Sequence, residues 1–349
     1  MDRRSFLATS TATALSMATA QAVEEIIDPD LPIIDPHHHL WDLPGSHYLL
    51  PEVLRDVSSG HNIVRTVFVE CNSMYRASGP LKLRSLGETE FVNGVAAMSA
   101  SDRYGKVRIA AGIVGAVDLQ SGAAVRSVLE RHVAAAGARF RGIRVQSAWD
   151  PDPLFGGPMD PKRQALLADR KFRQGFAQLA PMGLSFDAWC FHTQIADIDN
   201  LARAFPGTRI VLDHVASPLG VGPYASRREE ILAGWRSAMA GLRPHQNVYI
   251  KLGGLGMITF GSPHYKQRPA ATAAVLAAEW RPYIEYCIEQ FGVQRCMFES
   301  NFPVDADTCD YRTLWNAFKH ITLNYSAAEK AELYHDTARR AYRLPAASP

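Results

Sequence analysis

Eight short apolar runs punctuate this chain, and longer stretches of helical periodicity separate them. The runs are Ile33 to His37, Val64 to Glu70, Val107 to Ile113, Phe140 to Val145, Leu184 to Trp189, Arg209 to Leu212, Val248 to Leu252 and Cys296 to Glu299. Gly, Pro or Asp bounds many of them, and β-branched and aromatic residues fill most, so they read as strands. Between them, Glu90 to Tyr104, Ala123 to Ala136, Lys171 to Ala180, Gln194 to Phe205, Arg227 to Leu242 and Ala271 to Phe291 carry apolar residues at three- and four-residue spacing. That spacing predicts helices with one buried stripe. Strands that alternate with helices pair in parallel. Eight repeats predict an α/β fold closed into a (β/α)8 TIM barrel rather than an open sheet. A C-terminal helical extension, Ser326 to Tyr342, is expected to cover the outside of that barrel.

A chain of 349 residues is long for one average domain but fits a single barrel with insertions. Lys plus Arg number 37 and Asp plus Glu 35, a balance of +2, which gives no electrostatic footprint for nucleic acid. No apolar run long enough for a stable membrane span follows the first two dozen positions. The N-terminus reads differently. Arg3 and Arg4, then Ser5, Phe6 and Leu7, a mildly apolar stretch and Ala20-Gln21-Ala22 read as a twin-arginine export signal over residues 1–22. Residues 23–349 then form a single domain, periplasmic or secreted. The five cysteines are scattered, with no C-x-x-C, so most are expected to be buried small hydrophobes.

Asp35-Pro36-His37-His38-His39-Leu40-Trp41-Asp42 closes the first predicted strand. Side chains alternate along a strand, so His37 and His39 share a face and His38 points elsewhere. Two imidazoles on one face, about 7 Å apart at their Cα atoms, can close on one divalent ion. The plain alternative is a polar turn behind Asp35. His192 follows LSFDAWCF and His214 follows IVLD, at the predicted ends of strands five and six. Histidines at the C-terminal ends of three barrel strands converge on the face where barrels carry active sites. Nitrogen donors of this kind suit zinc or a similar metal.

Glu70, Arg144 and Lys251 lie near the ends of strands two, four and seven. Either Arg144 or Lys251 binds a substrate carboxylate or polarises an acyl oxygen, or both join Glu70 and Glu299 in a structural ion network. Trp41, Trp149, Trp189, Tyr224 and Phe302 are candidates for an apolar pocket wall. Long loops follow strands four, six and seven, where a barrel shapes its substrate site.

The D-x-H-x-H of strand one, His192, the LDH around His214 and FESNFPVD on strand eight together resemble the amidohydrolase superfamily, and more narrowly its amidohydrolase-2 branch. The resemblance runs from about Ile33 to Tyr342. IIDPHHHLWD, FHTQIADIDNLARAFPGTRIVLDHVASP and NVYIKLGGL are most similar to its lactonase subgroup. It implies metal ligation by His37, His39 and His192, with one zinc ion the best match, and a role for His214 in holding substrate or metal-bound water. Some lactonases of the branch work without metal. Strand four has no lysine for a bridging carbamate, which implies a mononuclear site.

One departure stands out. The family places an aspartate at the end of strand eight, as metal ligand and base, and Asn301 stands there in this chain. A neutral amide cannot accept the proton. Glu299, two positions earlier, shares the inward face, and the expectation is that the carboxylate has moved from 301 to 299. Asp305 is the other candidate base.

The activity implied is metal-assisted attack of water on a lactone or related carboxylic ester. Glu299 or Asp305 takes the proton, His214 orients water or stabilises the oxyanion, and Asn301 coordinates weakly or hydrogen-bonds in the site. Arg144, Lys251, Glu70 and Trp41 bind the substrate, a small molecule. Two other readings use the same residues: a nonoxidative decarboxylase, and a barrel that binds ligand without catalysis because Asn301 replaces the acid. A homodimer is one assembly open to such a barrel.

Overall fold

The computed structural model describes residues 24–154 and 159–346. The expected export signal over 1–22 lies outside the described residues. Eight strands form one sheet: β1 (Ile33–His38), β2 (Ile63–Val69), β3 (Arg108–Ala116), β4 (Phe140–Gln146), β5 (Ser185–Trp189), β6 (Ile210–Leu212), β7 (Val248–Leu252) and β8 (Cys296–Phe298). Each is parallel to its sequence neighbour. The ring closes past the end of β8, where His38 bridges Phe302 and Asn301 N donates to His37 O at 2.9 Å. The expected (β/α)8 barrel is the observed fold.

The crossover helices are α1 (Leu50–Val57), α2 (Leu86–Ser99), α3 (Arg126–Ala136), α4 (Arg170–Phe176), α5 (Ile195–Ala204), α6 (Arg228–Leu242) and α7 (Ala273–Phe291), and α8 (Tyr311–Ile321) follows β8. The outward residues of the strands, among them Phe68, Ile143, Phe186, Ile250 and Phe298, pack under these helices in the main core. Period-two alternation sends the intervening residues inward. Two helices, α1 and α8, and a hairpin pairing Trp41–Leu43 with Ser46–Tyr48 were not foreseen. All are too short or too polar on one face to stand out from loop.

The C-terminal segment corrects the expectation. It continues as α9 (Ala327–Ala331), a π-helical turn over Glu332–Asp336 and α10 (Thr337–Ala341). Instead of lying on the outside, Ala338, Ala341, Tyr342 and Leu344 pack with the inward residues Ile34, Val67, Val69, Val114, Val211 and Met297. The segment plugs the barrel floor. Amphipathic periodicity says that one face is buried; it does not say against what. Of the cysteines, Cys190, Cys287, Cys296 and Cys309 are buried and free, and Cys71 is half-buried and free.

Candidate active site

The chain rises from the floor into a charged layer at the C-terminal ends of the strands. A register shift in β1 between Asp35 and His38 turns the histidine run into the barrel mouth. Asp35 anchors that turn: its carboxylate accepts from His37 N at 3.2 Å, Ser300 N at 3.0 Å, Ser300 Oγ at 2.6 Å and Tyr311 OH at 3.0 Å. Burial pushes the Asp35 carboxyl up to about 6. His37 and His39 meet edge to face with ring centroids 4.9 Å apart. His38 points away, its Nε2 2.8 Å from Thr66 Oγ1. His39 Nδ1 donates to Val69 O at 2.8 Å, which leaves Nε2 as its lone-pair nitrogen.

His214 arrives by a strained turn. His214, Val215, Ala216 and Ser217 all have left-handed φ, between 39° and 62°. Such a run costs non-glycine residues on the order of 1–2 kcal/mol each. Ser217 N donates to His214 O at 2.7 Å, and Trp235 Nε1 donates to Val215 O at 2.7 Å, which holds the turn. Its product is one contact pair: Glu299 Oε1 accepts from His214 N at 3.1 Å and lies 2.6 Å from His214 Nδ1.

Glu299 is wholly buried between two imidazoles. Its Oε2 lies 2.7 Å from His37 Nδ1. Burial pushes its carboxyl up, but the electrostatic pull of the adjoining His214 and His37 rings and the hydrogen bonds from His214 outweigh that and hold it far below the usual carboxylate range. His37 itself is pushed well down, by burial and by the Lys251 ammonium. Lys251 Nζ lies 3.0 Å from His37 Nδ1, 2.8 Å from Asp187 Oδ2 and 3.0 Å from Asp213 Oδ1. Burial disfavours that ammonium, yet Asp187, Asp213 and Glu299 keep it charged. Tyr342 OH donates to Asp187 Oδ2 at 2.5 Å from the floor below. Arg144 Nε donates to Glu70 Oε1 at 2.8 Å, NH2 donates to Glu70 O, and NH1 lies 3.9 Å from Asp213 Oδ2.

The layer fits a divalent cation on three counts. Ligand atoms of His37, His214 and Glu299 all lie within 4.8 Å of one another. His37 Nδ1 accepts from Lys251, and Glu299 Oε2, facing that nitrogen, has no hydrogen-bond partner among the described residues. Two acceptors this close call for a shared cation. Finally, among the described residues Glu70, Asp187, Asp213 and Glu299 are buried against Arg144 and Lys251, so two negative charges stay uncompensated when the four carboxylates are ionised and the imidazoles are neutral.

This cluster differs from the ligand set that the resemblance implies. His39 stands beside it, but His192 does not join it. His192 is half-buried, accepts from Leu219 N at 3.3 Å through Nδ1, and packs edge to face on Tyr224 at 5.5 Å. A backbone N–H can only donate, so the Nε2 of a neutral His192 carries the proton and offers no lone pair. His214 and Glu299 stand in its place. Asn301 Nδ2 donates to Asp305 Oδ1 at 2.8 Å and Gly256 N donates to Asp305 Oδ2 at 3.0 Å, and burial pushes the Asp305 carboxyl up to about 7. Lys251 has no exposed surface, so its ammonium does not reach a cavity wall. Arg144 and Glu70 line a cavity of about 290 Å³ at the mouth, with Gln146, Lys82 and Arg163. Trp41 stacks on His39 and lines a second cavity of about 430 Å³ with Trp189, Tyr265 and Thr259.

Asp187 and Asp213 are the functional-layer residues that sequence reasoning passed over. Their signal was present: an acidic residue of inward parity inside each apolar run, LSFDAWCF and IVLDH.

A closed barrel with buried histidines and carboxylates converging at the C-terminal ends of its strands has the architecture of a TIM-barrel enzyme site. The family model described as Amidohydrolase matches residues 34–344, and the chain belongs to the amidohydrolase family. It is 33% identical to y4mH, an uncharacterized protein of Sinorhizobium fredii, over 90% of this chain and 99% of that one. It is 28% identical to the L-fucono-1,5-lactonase of Burkholderia ambifaria, over 78% of this chain and 80% of that one. A crystal structure of an amidohydrolase from Burkholderia multivorans with bound HEPES superposes with a TM-score of 0.70 at 25% identity, covering 90% of this chain and 99% of that one. A second crystal form of that protein holds zinc.

Proposed function

We propose that this chain is a lactonase, opening the ring of a sugar-acid lactone or a related carboxylic ester by attack of water. One observation carries the reading: Glu299 is held between His37 and His214 at the barrel mouth, supplying the carboxylate that Asn301 lacks. The similarity to an L-fucono-1,5-lactonase supports the substrate class. His37, His214 and Glu299, with His39 alongside, would hold one zinc ion, which when bound would supply Lewis-acid polarisation of the carbonyl and a more acidic water.

The remaining work falls to this chain's own side chains. Glu299 is too strongly held as an anion to be the proton acceptor. Asp305, raised to about 7, is tuned to accept a proton from water near neutral pH. Asn301 orients that carboxylate. His214 aligns the water, and Arg144, already fixed by Glu70, presents its guanidinium to the acyl oxygen. Trp41 and Trp189 form an apolar wall for the sugar ring. The segment 1–22 directs the folded enzyme to the periplasm; recovery of the chain only from the cytoplasmic fraction would sink that assignment.

Acid release from a panel of sugar-acid lactones, measured before and after chelation, tests the reading. Stoichiometric acid release that falls at least tenfold on chelation and returns with zinc is expected. Carbon dioxide release from aromatic acids with no lactone turnover would replace it with a decarboxylase. Ligand binding with no turnover on either panel would leave a non-catalytic barrel.

A further inference from the structure

Lys251 is surrounded as a metal ion would be. Its side chain is wholly buried in the barrel. Nζ faces Asp187 Oδ2 at 2.8 Å from β5, Asp213 Oδ1 at 3.0 Å from the end of β6, His37 Nδ1 at 3.0 Å from β1 and Glu299 Oε2 at 3.9 Å from the end of β8. Oxygen and nitrogen donors thus converge on one positive point from separate strands. The cage is not saturated by the ammonium. The contact with Asp213 is an ion pair without hydrogen-bond geometry, and both Asp213 oxygens and Asp187 Oδ1 are buried without a hydrogen-bond partner among the described residues. An ammonium has three donors in a fixed tetrahedral arrangement. Four converging acceptors exceed what it can serve.

We propose that Lys251 is a built-in cation filling a second metal position, so that the barrel takes a single divalent ion, and that shortening this side chain opens a site for a second one. Asp187, Asp213 and His37 are its ligands. Hard oxygens with one imidazole suit zinc or manganese(II). The donors would close in by roughly 0.8 Å, from hydrogen-bonding distance to the ~2.1 Å of a metal–ligand bond. The ammonium then does for this chain what a second ion does elsewhere: it compensates Asp187 and Asp213 and keeps the His37 ring turned toward Glu299. The inference leans on the proposed function only through His37, which has one lone pair when neutral and would serve both ions only as an imidazolate bridge, its remaining N–H proton released to solvent.

The test counts ions per chain after equilibrium dialysis of the whole protein against zinc or manganese(II). Lys251→Ala is expected to hold one ion more than the wild type, and zinc is expected to raise its Tm by more than it raises that of the wild type. Lys251→Met fills the same volume without charge and is expected to show no gain. Equal ion counts in Lys251→Ala and the wild type would overturn the proposal. Should Lys251→Ala not fold alone, refolding it in the presence of zinc or manganese(II) keeps all three ligands; the same single-ion gain is expected, and a refolded variant that holds no more ions than the wild type overturns the proposal equally. The two readings separate cleanly. A wild type with no ion and a variant with one would sink the metal-assisted mechanism and keep this inference, while one ion in both would do the reverse.

Discussion

The floor and the upper layer of the barrel are built from the same strands, two residues apart, with opposite chemistry. Along β6, Val211 lies in the floor and Asp213 above it; β7 offers Tyr249 and then Lys251, and β8 offers Met297 and then Glu299. Two residues are about 7 Å of rise and the same inward face. In the floor the inward residues are apolar and close on the plug formed by Ala338, Ala341 and Tyr342. Above it, Glu70, Asp187, Asp213, Glu299 and Asp305 share one buried layer with Arg144, Lys251 and the imidazoles of His37, His39 and His214. Apolar packing stabilises the fold with few demands on geometry beyond shape. Buried ions contribute little net stability and strict geometry. The barrel thus separates what holds it together from what it does, within the span of one strand.

Substitutions in the two layers put that division to the test. Glu299→Gln is expected to lower kcat/KM on a lactone by roughly 10²–10³, the range for losing a positioned electrostatic group, and to release the ion. Met297→Ala, one step below on β8, is expected to destabilise the fold by about 2–5 kcal/mol in urea titration while kcat/KM per folded molecule stays within a few-fold. A folded Met297→Ala protein as inactive as Glu299→Gln would show that floor and site are one unit.

The upper layer also titrates, and the floor does not. Asp187 and Asp305 are raised by burial to about 6 and about 7, above the ordinary carboxylate value of 3.8. Each therefore binds its proton more tightly in the folded chain. The stability that this contributes is complete below pH about 4 and is lost as pH rises through 6 to 7. His37, His38, His39, His61, His132 and His192 are pushed down by burial and act with the opposite sign below pH 6.5. The Asp305 contribution therefore shows as a difference: in metal-free protein the Tm of the wild type relative to Asp305→Asn is expected to fall from pH 5 to pH 8. An unchanged slope in the variant would remove Asp305 from the account.

The smallest effect concerns the turn that carries His214 into the upper layer. Ala216 sits at φ 62°, where glycine is at ease and alanine is not. Ala216→Gly relieves on the order of 1 kcal/mol of strain and gives back part of it in lost methyl burial. A rise in Tm of roughly 1–2 °C is expected. A clear fall would mean that the left-handed run is not strained as its φ values imply.

Most of the barrel was legible in local pattern. A strand's apolar run and its period of two belong to a few consecutive residues, so β1 to β8 and the shared face of His37 and His39 could be read directly. Glu299 was legible too, because its inward parity follows from two-residue spacing to Asn301. Other features have no local signature. Whether an amphipathic C-terminal segment lies outside the barrel or beneath it depends on which apolar surface is left uncovered, and that is known only once the ring has closed. His192 looks like any histidine at a strand end; what turns it toward Leu219 and Tyr224 is a loop from the next crossover.

The order of residues along the chain determined the barrel, its mouth and the donors available there, because those follow from periodicity and parity within single strands. Folding alone decided which donors meet. Asp187, Asp213, Lys251, His37 and Glu299 come from five separate strands or strand ends, and their distances are set by ring closure and the His214 turn. Electrostatic energy depends on those distances and on the exclusion of water, and neither is a property of any one segment.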